Sequence, residues 1–149
     1  MKKRLLYLLL FTATLYAGCS NNNIEHNIGK KIQDECKTDS CTLVMAQIVK
    51  FKWDKMYVFN APVSLEVINQ ALGVKYPYYV EFTRPIIFMN GSEIVHYENN
   101  KSNVESLIAG QVIFDYPDSL KYQVYTPKKS TFKVMQKKFN DGVYYKLYQ

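Results

Sequence analysis

Hydrophobic and polar residues alternate along much of this chain with the period of strands. From Phe51 to Phe59 the odd positions are Phe51, Trp53, Lys55, Tyr57 and Phe59, apolar or aromatic except for Lys55. That pattern predicts a half-buried strand. Pro85 to Met89 and Glu93 to Tyr97 flank Asn90-Gly91. A hairpin with a type I′ turn is expected there, because both central residues of such a turn need positive φ. A last hairpin is predicted from Thr131 to Phe139 and Val143 to Tyr148, across Asn140-Asp141-Gly142. In its second strand Val143, Tyr145 and Leu147 face one way, and Tyr144, Lys146 and Tyr148 the other. Val112 to Phe114 and Tyr122 to Tyr125 read as further strands, whereas the apolar run Leu43 to Phe51 fits a strand or a helix equally.

Helical signals are fewer. Ser64 can cap a helix running through Leu72, with Leu65, Ile68 and Leu72 on one face and Gly73 to end it. Val63 and Ile68 are placed to form a hydrophobic staple. Ser102-Asn103-Val104-Glu105 has the form of a capping box and predicts a second, short helix ending at Gly110. Ile28 to Glu35 suits a short helix or a continuation of the polar stretch before it. The sum is an α+β fold: an antiparallel sheet with one main helix packed on it, and a second short one, in a single domain over residues 42–149.

The first residues read differently. Met1-Lys2-Lys3-Arg4 precedes the apolar run Leu5 to Tyr16, which is too short to cross a bilayer as a stable helix. Residues 1–18 therefore have the layout of an export signal. The run ends in Leu15-Tyr16-Ala17-Gly18-Cys19-Ser20. This segment resembles the lipobox of bacterial lipoproteins, usually written Leu-Ala-Gly-Cys. Ala17, Gly18 and Cys19 match it, and Tyr16 stands where an aliphatic residue is usual. The resemblance implies cleavage before Cys19 and acyl chains (palmitate among them) on that cysteine, which hold the protein to a membrane in the cell envelope. Two or three chains make release negligible, where one holds only marginally. Ser20 after the cysteine implies, by the same analogy, the outer membrane facing the periplasm in a Gram-negative cell. The stretch carrying Phe51, Trp53, Asp54, Tyr57 and Phe59, ahead of a helix, also resembles a Phe-x-Trp-Asp-x-x-Tyr-x-Phe segment of small uncharacterised bacterial lipoproteins. It brings no known activity.

An envelope address changes how the remaining residues are read. Residues 19–41, asparagine-rich at their start, are expected to form a polar tether between lipid and domain. Cys36 and Cys41 are separated by Lys37-Thr38-Asp39-Ser40, and an oxidising compartment permits them to close a small disulfide loop. Free thiols are the weaker reading. Metal is weaker still, since these cysteines with His26 and His96 lack zinc spacing. The chain carries a formal +6, but three of its positive charges lie in the signal. From Cys19 onward there are sixteen basic and thirteen acidic residues, a net +3. The basic pairs Lys128–Lys129 and Lys137–Lys138 are short and scattered, so nucleic acid is not an expected partner.

No Gly-x-Ser-x-Gly elbow, His-Glu-x-x-His or glycine-rich phosphate loop is present, and no cofactor is implied. Asp54 beside Trp53 invites an acid–base reading on a glycan, with Glu81 or His96 as second group, but glycosidases need two carboxylates at a defined separation. The plainer reading has Asp54 accepting hydrogen bonds at a strand edge, Trp53 in the core and His96 on an exposed strand face. Thirteen tyrosines are the main surplus. Tyr76, Tyr78 and Tyr79 precede the first hairpin, and Tyr144 and Tyr148 share a face with Lys146. Tyrosine offers large contact area at low entropic cost. The expectation is thus a non-enzymatic envelope lipoprotein binding a protein or peptide partner, in an inhibitory or assembly role, with a glycan-acting enzyme as the alternative.

Overall fold

The alternating segments become eight strands, and burial decides which faces they turn inward. The computed structural model describes residues 23–37, 40–101, 109–139 and 142–149. The signal with Cys19, the Ser102–Glu105 capping box and Asn140-Asp141 lie outside them. Along the described chain the order is α1 (Ile24–Glu35), β1 (Ser40–Val44), α2 (Met45–Ile48), β2 (Lys55–Phe59), α3 (Leu65–Leu72), β3 (Thr83–Asn90) and β4 (Glu93–Lys101). Then come β5 (Val112–Phe114), β6 (Tyr122–Tyr125), β7 (Thr131–Phe139) and β8 (Gly142–Tyr148), with a 3₁₀ turn before β7.

The strands divide between two four-stranded sheets where the sequence suggests one. The first has the order β1-β7-β8-β5 and the second β4-β3-β2-β6. All pairings are antiparallel except β5 with β8, which run parallel. Leu43, Phe132, Val134, Tyr145 and Leu147 of the first sheet share one core with Met56, Val58, Ile86, Phe88 and Tyr125 of the second. Tyr125 and Phe132 meet across it edge to face, with centroids 4.9 Å apart. Such contacts add roughly 0.5–1.5 kcal/mol beyond burial.

A second, smaller core lies on the outer face of the second sheet. There Ile68 and Leu72 of α3, with Val63, cover Tyr57, Phe59, Ile87 and Met89. Being covered on both sides, β2 is buried at every position after Lys55, so its alternation does not translate into a solvent face. The strand also starts later than Phe51. Trp53 is buried just ahead of it and stacks edge-on against Phe88, 5.4 Å away.

Local signals account for α3. The Ser64 side chain accepts from the Val67 amide, and Gly73 takes the left-handed conformation (φ 71°) that ends the helix. The first hairpin differs from expectation by one residue. Asn90 pairs with Glu93, leaving Gly91-Ser92 as the two-residue loop, and only Gly91 has positive φ. A glycine in the first loop position is what the other hairpin turn, type II′, requires. The ambiguous run after Thr42 splits, because β1 ends at Val44 and the single helical turn α2 follows.

The largest departure concerns the tether. Residues 24–35 form a helix capped by Asn23, and Ile24, Ile28 and Ile32 on one face are buried in the main core. Folded structure therefore includes much of the segment read as a polar tether over 19–41. The spacing i, i+4, i+8 of these isoleucines is a helical stripe. Charged residues around it hide it in the composition.

Candidate functional site

Thr83 begins β3, and the segment before it is held rigidly. The Tyr76 amide donates to Asn69 Oδ1 at 2.7 Å, and its hydroxyl donates to Asn99 Oδ1 at 3.0 Å. Asn99 in turn donates to the Tyr78 carbonyl at 2.7 Å. Tyr79 donates to the Val63 carbonyl at 2.9 Å, and Thr83 to the Val80 carbonyl at 2.7 Å. Burial raises the Tyr76 hydroxyl well above the usual tyrosine range, its bond to Asn99 opposing only in part.

The outcome is a platform of aromatic rings. Tyr78 lies face to face with Tyr97 of β4, with centroids 4.0 Å apart and planes 8° from parallel. Tyr76 supports both rings from beneath, edge-on at 5.8 and 5.9 Å. Tyr78 is 45% exposed, Val80 50% and Phe82 71%. Phe82 also has φ of 57°, a left-handed conformation that bulky side chains rarely adopt.

The sequence-derived tyrosines thus separate by role. Tyr76 is buried in the outer core, Tyr79 is half-buried and tied to Val63, and only Tyr78 of the three offers its ring to solvent. Tyr97 stacks on it, and Val80 and Phe82 of the same segment are exposed as well, none of them among the expected residues. A run of apolar residues in a turn would have been the signal. Tyr144 and Tyr148 stand apart from this platform, half-buried on the outer face of the first sheet beside Lys146.

The proposed acid–base residues do not converge. Asp54 is exposed and accepts from the Gly91 amide at 2.8 Å, while its own amide donates to Met89. It therefore ties β2 to the hairpin end of β3. Glu81 precedes the opposite end of β3, roughly 20 Å away at about 3.3 Å per residue. Glycosidase carboxylates are no more than about 9.5 Å apart. His96 is not on an exposed face. Its ring lies 5.0 Å from that of Phe51, and Nε2 is 3.1 Å from Glu98 Oε1. An irregularity between Phe88 and Met89 in the pairing puts Ile94 on the opposite side, where it packs with the outer core.

A polar cluster the sequence did not reveal fixes α1. Buried Glu98 accepts from the amides of Ile24 and Glu25 at the helix start. Glu25 accepts from the Val112 amide at 2.8 Å, and Arg84 donates to the Val112 carbonyl at 3.0 Å. Arg84 Nη2 is 3.6 Å from Glu25 Oε1, near enough for an ion pair but too long for a hydrogen bond. Burial raises the Glu25 carboxyl above its usual value, against the Val112 amide and Arg84, and it lowers the Arg84 guanidinium. Both carboxylates are engaged by backbone amides, which is the arrangement of a structural clamp.

Cys36 and Cys41 are joined by a disulfide, with Cα atoms 5.4 Å apart. It links the end of α1 to β1. Among the described residues no group of three His, Cys, Asp or Glu side chains could hold a metal ion, and no helix is long and apolar enough to cross a membrane. Comparison of the chain with protein-family models, curated proteins and solved structures finds no match.

Proposed function

We propose that this chain is a cell-envelope lipoprotein, anchored through acyl chains on Cys19, whose domain binds a protein or peptide partner and carries out no chemistry of its own. The anchor rests on Ala17-Gly18-Cys19 behind a basic and apolar leader. Ser20 favours the outer membrane if the source is Gram-negative. Blocking an exported enzyme and assisting envelope assembly are both roles open to such a domain.

One observation carries the binding half, and it is Phe82. A phenylalanine that is 71% exposed at positive φ gains little from burial and pays for its backbone, at about 1–3 kcal/mol. Folding alone gives no reason to keep it. In the same segment, four residues earlier, Tyr78 stacks on Tyr97 and its carbonyl accepts from Asn99, so this ring is held before any partner arrives, which lowers the entropic cost of association. Exposed, rigid aromatics are the usual anchors of protein interfaces.

Phe82→Gly separates binding from stability. Glycine accepts φ of 57° readily, so the variant is expected to be as stable as the parent or more so. Capture from an envelope extract is expected to recover a stoichiometric partner with the parent and to lose it with Phe82→Gly and Tyr78→Ala. Equal recovery with all three proteins, or glycan as the bound material, defeats the proposal. For the anchor, Cys19→Ser is expected to leave the precursor uncut or release the protein from membranes.

A further inference from the structure

The outer face of the first sheet carries a pattern that neither the core nor the aromatic platform uses. Lys133 stands between Thr42 and Tyr148 in one cross-strand row, and Lys146 between Met135 and Ile113 in the next. Lys137 pairs with Tyr144 in the third. Among the described residues neither buried cluster includes any member of these rows. Asp115, paired with Lys146 at 3.1 Å, is the acidic group that meets them. Lys128 and Lys129 lie exposed in the turn that leads into β7. Residues 121–149 hold seven lysines against the single acid Asp141. Three of these seven, Lys133, Lys137 and Lys146, project from the one sheet face.

We propose that this face docks on an anionic phospholipid bilayer. Its shape suits a plane, being one side of a four-stranded sheet. Its chemistry suits the interfacial zone, where tyrosine rings sit at headgroup depth and lysines meet lipid phosphates. Its position suits the chain's entry. The start of α1 is held between Val112 on β5, an edge strand of this sheet, and Glu98 on β4, an edge strand of the other, so the chain enters where this sheet's edge meets its neighbour. Only Ser20 to Asn23 separate Cys19 from α1, a reach of roughly 14 Å when extended. A lipid on Cys19 therefore holds this sheet edge beside the bilayer. The entry argument rests on the proposed anchor, while the charge pattern stands without it.

Lysine acylation by a water-soluble reagent tests this on the full chain bound to vesicles. On phosphatidylglycerol-containing vesicles, Lys133, Lys137 and Lys146 are expected to react at least fivefold more slowly than Lys52 and Lys55. On phosphatidylcholine vesicles Lys133 and Lys137 are expected to react as fast as Lys52 and Lys55, with Lys146 slowed only by its pairing with Asp115. Adding salt to about 0.5 M is expected to abolish the protection, since exposed charges are then screened within a few ångströms. Without its acyl chains, the mature protein carrying K133Q/K137Q/K146Q is expected to bind anionic vesicles about a hundredfold more weakly than its unsubstituted counterpart, at about fivefold per lysine. Equal labelling on both lipids, or no attachment to anionic vesicles, overturns the proposal. Equal protection by soluble polyglutamate overturns the bilayer as partner. Failure of the anchor reads out separately, as a parent protein that leaves phosphatidylcholine vesicles altogether.

Discussion

Replacing Glu98 by alanine tests whether α1 belongs to the folded domain. The carboxylate is 8% exposed and accepts from the amides of Ile24 and Glu25. Asn23 Oδ1 accepts from His26 at 2.6 Å, so these two side chains satisfy three of the amides that a helix start leaves unpaired. Hydrogen bonds to a charged group contribute about 1.5–3 kcal/mol each, and a carboxylate at a partly buried helix N-terminus gains up to ~2 kcal/mol from the dipole. The contributions overlap, and water can enter a truncated site. Glu98→Ala is therefore expected to lose about 3 kcal/mol. Glu98→Gln, which keeps an acceptor but no charge, is expected to lose about 1–2 kcal/mol. Urea unfolding measures the totals, and hydrogen exchange locates them. Amides of α1 should exchange far faster in Glu98→Ala, with those of β7 following only the global loss. A loss under about 0.5 kcal/mol, well below the range for a charged hydrogen bond, with α1 protection unchanged, would refute the reasoning.

Arg84 and Glu25 should behave as a coupled pair. Arg84→Met leaves the Glu25 carboxyl buried without its cation and is expected to cost about 3 kcal/mol at pH 7, whereas Glu25→Gln/Arg84→Met together cost less than the two singles added. Because burial raises the folded-state Glu25 value above 4.5, its contribution is fully present below pH 4.5 and is lost as pH rises through the raised value. The Arg84→Met deficit is accordingly smaller in acid, and additive singles with a flat pH profile would contradict this. Burial pushes the Tyr125 hydroxyl up to about 12 and raises those of Tyr76 and Tyr116. The stability these groups provide holds below pH ~10, where unfolded tyrosine begins to ionise, and disappears as pH rises through their folded values. An ultraviolet titration of the native protein should leave them protonated at pH 11, and full ionisation of every tyrosine before unfolding would count against their burial. Cys36→Ser/Cys41→Ser is expected to cost no more than about 2 kcal/mol, because the loop it opens is short; thermal unfolding checks it.

How far the residues disclosed this arrangement depends on the range of the forces involved. The Ser64 cap, the Gly73 stop and the strands Val112–Phe114 and Tyr122–Tyr125 were readable because neighbours along the chain determine them. Division into two sheets was not, since β1 finds β7 and β8 finds β5 through packing that no local pattern encodes. Alternation in Phe51–Phe59 misled because α3 covers what would otherwise be the wet side of β2. At the first hairpin Asn90-Gly91 carried the correct turn residue but not the register, which the irregularity beside Phe88 helps to set. Nothing along the chain marks Glu98 and Arg84, and only the approach of α1 makes them a clamp. Phe82 carries no periodic mark; only the aromatic and apolar run of the turn before β3 points to it.

The pairing of Ser40 with Met135 bears on when the protein can fold. Strand β1 has no neighbour until a chain segment nearly a hundred residues further on has been synthesised, and β7 and β8 supply the two central strands of that sheet. Contacts so distant in sequence form slowly. If the chain is exported as proposed, this delay keeps the first sheet open until the last strands have emerged.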